Sequence, residues 1–518
     1  MNWPREIAEE ILRERPNEEV YTIASGVSPS GFIHIGNFRE IITPYLIAKA
    51  LKKMGKNVRF ILSIDEYDRL RKVPGNIPSE WSKYIGMPYV DVPSPFSENE
   101  TYAEYMENRF LGELKAMGIE VECIYQAQKY RNGDYKEYIK KAMDNRHKIF
   151  EIIDSFRTQD ATQEEIDNFY PISIYCPICH KDSTHILNYN DESGEFLYEC
   201  DCGHTETQNI MEARNIKLQW KVDWPMRWKY EGVVFESGGA DHSADNGSQA
   251  VAKRVAREIF DYEPPVYHGY NFIGIKGGGA KMSSSTGNVL TLTDLLRIYD
   301  RHIITWFYAK YRPMQCFDLA LDNDVIRYYQ EFDRMVKAYF DGKLDEKNKE
   351  IIESTEVTED YLLNPNFSYM ANFLPMVNYN VDALKDILRK EGIECEGTHF
   401  ENRLEAAKNW VTTYGKDYEI KLVDEKNTEY YETLSDMEKE WVKKTINLLG
   451  HEYANSDELQ TVLYAVIKDY CEEDKWKENQ KRYFQILYKL LLNADRGPKL
   501  GLFLNSVPKE ELINRLSF

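Results

Sequence analysis

Two loops in this sequence carry side chains suited to handling phosphate. The first, Ser25-Gly26-Val27-Ser28-Pro29-Ser30-Gly31-Phe32-Ile33-His34-Ile35-Gly36-Asn37, joins an apolar run to the start of a helical pattern. Unpaired main-chain N–H groups and a positive dipole end attract anions there, and Gly36 lets a flat base approach the backbone. His34 and Asn37 add hydrogen-bond donors. The second loop, residues 277–288, is rich in glycine and places Lys281 and Met282 before three serines, Ser283, Ser284 and Ser285. Its lysine supplies charge where pyrophosphate leaves, and its serines and backbone donate to oxygens that gain charge in the transition state. Together they describe displacement at a nucleoside triphosphate. Pro29, Ser30, Gly31, His34, Gly36 and Asn37 hold it on one side, and residues 281–285 close from the other. Taken alone, the first loop reads equally well as a plain βα turn capped by Asn37, and a surface linker is the alternative for the second. Two of them at opposite ends of one interrupted sheet point to a single site.

A third cluster has metal-ligand spacing. Cys176-Pro177-Ile178-Cys179 is followed, after twenty intervening residues, by Cys200-Asp201-Cys202. Four thiolates can close a tetrahedral zinc site with a structural role. The second pair is tighter than the usual knuckle, which leaves His180, His185 or His204 as substitute ligands; a redox pair or a metal-free knuckle are the alternatives.

The elements that must position these groups follow from periodicity. Residues 20–64 read as strand, loop, helix and strand, a βαβ unit whose second strand, 58–64, is nearly continuous in apolar residues. Residues 102–125 repeat the helix-then-strand order, and 135–156 predicts one long amphipathic helix. Residues 170–207 break the rhythm as a small insert. Strand 232–237, a helix over 245–260 and a strand over 266–275 then complete the sheet. The fold class expected is α/β, a doubly wound parallel-sheet (Rossmann-like) catalytic domain over 1–290. It is interrupted by an insertion of about 85–230 that includes a zinc knuckle at 170–207. Helical periodicity dominates afterwards: a connecting region over 291–365, a boundary near Pro365, and an all-helical C-terminal domain over 366–518.

Composition sets the outer limits. The 518 residues are enough for three or four domains, so a lone binding module is excluded. Lys+Arg number 65 against 86 Asp+Glu, a net charge of −21, which argues against a nucleic-acid coat acting through bulk positive charge. The first twenty residues alternate charged and apolar positions, as expected of neither a signal peptide nor a membrane anchor, and a cytoplasmic location is expected.

His34-Ile35-Gly36-Asn37 and Lys281-Met282-Ser283-Ser284-Ser285 resemble the two motifs of the class I aminoacyl-tRNA synthetases, usually HIGH and KMSKS. Both departures occur together in the class I lysyl enzymes, which the chain also resembles at 24–40, 65–74, 223–228, 238–243 and 496–504. The resemblance implies ATP and Mg²⁺, activation of L-lysine as lysyl-adenylate, and transfer to the terminal ribose of tRNA(Lys). His34, Asn37, Lys281, Ser283 and Ser284 would stabilise the transition state. It also places Gly26, Ser28, Trp220, His242 and Tyr270 around the amino acid. Selecting lysine requires an anion for its ammonium group, and Asp65, Asp223 and Asp241 are three equal candidates. It further implies that the insert meets the tRNA acceptor end and that the helical C-terminus, with Trp441, Tyr453, Tyr464, Tyr470, Trp476, Tyr483 and Tyr488, binds the anticodon. The oligomeric state is left open, a monomer being compatible. A glutamyl enzyme is the alternative, needing a cation where lysine needs a carboxylate; a non-catalytic tRNA-binding relative is the other.

Overall fold

The computed structural model describes residues 2–157, 161–240, 247–271, 273–277, 290–419, 421–468 and 470–518. Two compact units divide the chain. One comprises 1–295, 301–319 and 344–356, the other 296–300, 320–343 and 357–518. Residues 291–365, expected as a connecting region, are thus shared between them.

Five strands, β1 (Tyr21–Val27), β2 (Val58–Ile64), β3 (Glu122–Tyr125), β4 (Val233–Gly239) and β5 (Val266–Tyr270), form a parallel sheet in the first unit. In space they run β3-β2-β1-β4-β5. The register carries Val27 onto Ile64, Ile64 onto Tyr125 and Tyr270 onto Gly239, so the strands end near one level. Tyr21, Ile23, Leu62, Val234 and Phe235 are buried, as strands covered on both faces require. The order reverses between β1 and β4, and in such sheets ligands bind outside the carboxyl ends at that point. The ends concerned are Gly26-Val27 and Gly238-Gly239. β3 is a full member of this sheet although it lies inside the segment expected as an insertion. Four helices frame the switch point: α1 (Trp3–Glu14), α2 (Ile35–Lys53), α3 (Trp220–Glu231) and α4 (Ser248–Glu258).

Two expected elements break. The long helix over 135–156 is two helices, Lys136–Asp144 and Arg146–Asp154. Asn145 separates them because its side-chain amide donates to the Lys141 carbonyl at 2.8 Å, a local bond that competes with continued helix. The strand over 266–275 ends at Tyr270, and Ile273–Ile275 pairs instead with Phe317–Leu319, so the region after 291 is not purely helical. The buried Arg39 of α2 draws the chain aside there, donating to the Asn271, Arg312 and Gln315 carbonyls at 3.0, 2.7 and 3.0 Å.

Between β3 and β4, Ile172–Ile174 pairs antiparallel with Ile216–Leu218, and this ribbon carries a three-stranded antiparallel sheet of Thr184–Tyr189, Glu195–Cys200 and Thr205–Asn209. Tyr189, Phe196, Tyr198 and Ile210 fill its core.

The second unit is helical. Tyr329 stacks on Phe367 at 4.0 Å between ring centroids, and Arg403, 3 % exposed, donates to Asp333 at 3.1 Å and to the Tyr361 hydroxyl at 2.6 Å. Helix Asp324–Phe340 therefore belongs to this core, and Pro365 lies within the unit. Of the aromatics expected on a recognition face, Trp441 and Tyr483 are buried against each other. Tyr464 is exposed, while Lys444 and Lys468 lie over the rings of Tyr470 and Trp476 at 4.6 and 4.8 Å. No described helix is long and apolar enough to cross a membrane.

Candidate active site

His34 is the N-cap of α2. Its Nδ1 accepts the backbone N–H groups of Gly36 and Asn37 at 3.0 and 3.3 Å, and Asn37 Oδ1 accepts the His34 N–H at 3.4 Å. This is a capping box in which an imidazole takes the part usually played by serine or threonine. Because Nδ1 accepts, the ring proton sits on Nε2, which is thereby a donor. Gly36 is required by that packing: a Cβ there would lie 2.8 Å from His34 Cε1.

The second loop is anchored at its end on the first. Leu290 accepts the Ile35 N–H at 3.0 Å, and Thr291 forms an antiparallel bridge with His34. Lys281, Met282, Ser283, Ser284 and Ser285, with Asp241 and His242, lie outside the described residues. In the first loop, Ser30 accepts the Tyr102 hydroxyl at 3.2 Å, Ser28 is hydrogen-bonded to Tyr89, and Pro29 and Gly31 are buried between them.

The expected carboxylates are placed differently from one another. Asp223 is wholly buried and receives the Tyr130 hydroxyl at 2.5 Å, the guanidinium of Arg227 and, at 3.6 Å, the Lys217 ammonium. Asp65 receives the other Arg227 nitrogen at 2.6 Å. Lys217 pairs with Asp68 as well. Both Asp65 and Asp223 thus face a protein cation. Trp220 stacks on Trp224 at 5.1 Å and 15°, with Arg227 over its ring. Beneath it, Ser25, Gly26, Ser63, Asp65, Gln126 and Glu236 help to line a cavity of about 30 Å³.

Two carboxylates absent from the expected set occupy the switch point. Glu236 on β4 accepts the indole N–H groups of Trp224 and Trp228, and burial raises its pKa to about 7. Glu40, one turn beyond Gly36 on α2, is hydrogen-bonded by Tyr270 at the end of β5, and burial drives its pKa well above the carboxylate range. Ser25 Oγ holds the same residue from β1, donating to the Glu40 carbonyl at 3.1 Å. Among the described residues no cation lies within ion-pair distance of Glu40. The helical spacing of Gly36 and Glu40 was the signal in the sequence, since residues four apart share a helix face.

The cysteines converge. Cys176 and Cys202 sulfurs are 3.7 Å apart, Cys179 and Cys200 are 3.5 Å apart, and all four fall within 4.8 Å of one another. A tetrahedral zinc–thiolate centre with bonds of about 2.3 Å needs sulfurs about 3.8 Å apart, so the donor set fits zinc. The histidines left open as substitutes are directed elsewhere: His185 Nε2 lies 3.5 Å from Asp201 and His204 Nε2 3.4 Å from Glu206.

Comparison with known proteins shows the family. The family model described as tRNA synthetases class I (K) matches residues 1–359. The lysine–tRNA ligase of Pyrococcus furiosus is 35% identical, covering 100% of this chain and 99% of its own. Those of Treponema pallidum (33%, 100% and 98%) and Borreliella burgdorferi (33%, 98% and 97%) are similar along the same extent. The match of the family model over more than half of the chain, and relatives of this identity along its whole length, place the chain in the family of class I tRNA synthetases of the lysyl (K) type.

Proposed function

We propose that this protein activates L-lysine with ATP and transfers the lysyl group to the 3′-terminal ribose of tRNA(Lys), in the cytoplasm. The observation that carries the reading is Glu40, half-buried and held from β1 by Ser25 at the switch point, whose carboxylate has no cation partner among the described residues. A carboxylate partly withdrawn from water is costly to ionise until a cation meets it, and the lysine ammonium is that cation. Tyr270 orients the carboxylate; Trp220 and Gly26 border the amino acid.

The reaction needs no protein nucleophile. The lysine carboxylate attacks the ATP α-phosphate in line, the P–O bond to the β-phosphate breaks, and pyrophosphate leaves. The positive dipole end of α2, the Nε2–H of His34 and the amide of Asn37 serve the charge that builds on the phosphate oxygens. Lys281 and Ser283–Ser285 meet the leaving pyrophosphate. Mg²⁺ bound with ATP neutralises triphosphate charge. The terminal ribose hydroxyl of tRNA then attacks the mixed anhydride and releases AMP.

A glutamyl activity is disfavoured by Arg227, the cation that lines the cavity beneath Trp220, because Asp65 and Asp223 already neutralise it. ATP–pyrophosphate exchange with each standard amino acid, run with total tRNA present, tests the assignment: lysine alone is expected to support exchange. Exchange with glutamate in its place would overturn it.

We assign one structural zinc to Cys176, Cys179, Cys200 and Cys202; bound there, it cross-links the antiparallel insert. Metal analysis of the purified chain is expected to give one zinc per molecule. The double change Cys176→Ser and Cys179→Ser should abolish it, a hydroxyl being a far poorer zinc ligand than a thiolate. A wild-type protein free of zinc would reject the assignment.

A further inference from the structure

Trp220 is half-buried and is not fixed by close packing on every side. A cavity of about 30 Å³ lies beneath its ring and a wider cleft opens beside it, so the indole has room to tilt. Its support comes from along α3. Trp220, Trp224 and Trp228 stand four residues apart and share one helix face. Their rings form a ladder, Trp220 on Trp224 at 5.1 Å and 15°, Trp224 on Trp228 at 5.0 Å and 57°. Stacking sets the spacing of such rings and leaves rotation in the ring plane nearly free.

That rotation is set by Glu236. One carboxylate oxygen, Oε2, accepts both the Trp224 and the Trp228 indole N–H, at 2.9 and 2.5 Å. A single acceptor shared by two rungs ties both rings to β4, the strand that bounds the switch point. Glu236 follows Val233, Val234 and Phe235, all buried, at a place in the central sheet where a carboxylate carries a desolvation cost that an apolar residue would not. Charge-assisted hydrogen bonds offset that cost and hold the indoles more firmly than a neutral acceptor does.

We propose that Glu236 is a positioning residue for the amino-acid pocket: through Trp224 it sets the plane of Trp220, against which the aliphatic stem of the substrate packs. The inference rests on the lysyl reading of the crevice and gives Glu236 a task distinct from that of Glu40. Lysine and norleucine share the stem, so the ladder acts on both alike. A carboxylate in contact with the ammonium acts on lysine alone.

Pyrophosphate exchange by the full-length chain, with tRNA present, separates these roles through the KM for lysine, the KM for ATP and the inhibition constant of norleucine. Glu236→Leu keeps the bulk and removes the acceptor. It should raise the lysine KM and the norleucine inhibition constant by the same factor, about 10- to 50-fold, with kcat within about threefold and the KM for ATP unchanged. Glu236→Gln, whose amide oxygen can accept both indole N–H groups, should bring the lysine KM back to within about threefold of wild type. Should Glu236→Leu fail to fold, Trp224→Phe carries the test: it keeps a ring and removes one N–H, and the lysine KM should rise about three- to tenfold. A lysine KM unmoved in Glu236→Leu or in Trp224→Phe overturns the proposal. So does a loss in Glu236→Gln as large as that in Glu236→Leu and confined to lysine, which would make Glu236 an ammonium ligand. A wild type without lysine exchange overturns the lysyl reading, and the positioning role with it.

Discussion

Replacing Glu40 by Gln is expected to lower kcat/KM for lysine activation by about 100- to 1,000-fold. The carboxylate is half-buried beside the Tyr270 hydroxyl, and burial raises its pKa well above the usual range. Glutamine preserves shape but not charge. An ammonium brought against it would be buried without compensation, a loss of roughly 3–5 kcal/mol, and each 1.4 kcal/mol is tenfold. The effect should fall on the amino acid and leave the KM for ATP nearly unchanged, because the phosphate-binding groups of α2 begin a full turn earlier. Norleucine, which lacks the ammonium, sharpens the test. The wild type should prefer lysine to norleucine by orders of magnitude, and Glu40→Gln should erase most of that preference. Tyr270→Phe, which removes one hydrogen bond, should cost about tenfold. A Glu40→Gln enzyme that still discriminates fully against norleucine would move the ammonium site elsewhere, with Glu236 the next carboxylate to examine.

Changing His34 separates capping from catalysis. In His34→Ala both are lost: the two N–H groups that Nδ1 accepts are left unpaired, and the Nε2 donor is gone. Removal of a cap costs about 1 kcal/mol of stability. Loss of one preorganised donor at a phosphoryl-transfer site costs about 100- to 1,000-fold in the activation rate. His34→Asn distinguishes the two, since asparagine is among the strongest N-caps but is too short to present a donor where Nε2 lies. Thermal unfolding of His34→Asn is expected to return to wild type while lysine-dependent pyrophosphate exchange stays as low as in His34→Ala. Full activity in His34→Asn would leave His34 a capping residue only.

The sequence by itself determined what depends on neighbours along the chain. Apolar runs and helical spacing predicted β1, β2, β4 and α2, because side-chain periodicity reports which face of an element is buried. The same local reading placed His34 and Asn37 at a helix start, where a cap is defined by residues at most three apart. The cysteine cluster was legible for a similar reason, each pair being a turn. Where a single side chain competed with the local pattern, periodicity misled. Asn145 splits one predicted helix, and Arg39 turns the chain after Tyr270 by holding carbonyls more than two hundred residues away. The carboxylate proposed to face lysine belongs to the same class. Asp65, Asp223 and Asp241 were indistinguishable as letters, and Glu40 was not among them. Which carboxylate is left without a cation is decided by which cations fold against the others, and Arg227 reaches Asp65 from 162 positions away. Only the tertiary structure sets those distances. Electrostatic pairing acts through space within a few ångströms, and position in the chain carries no record of it.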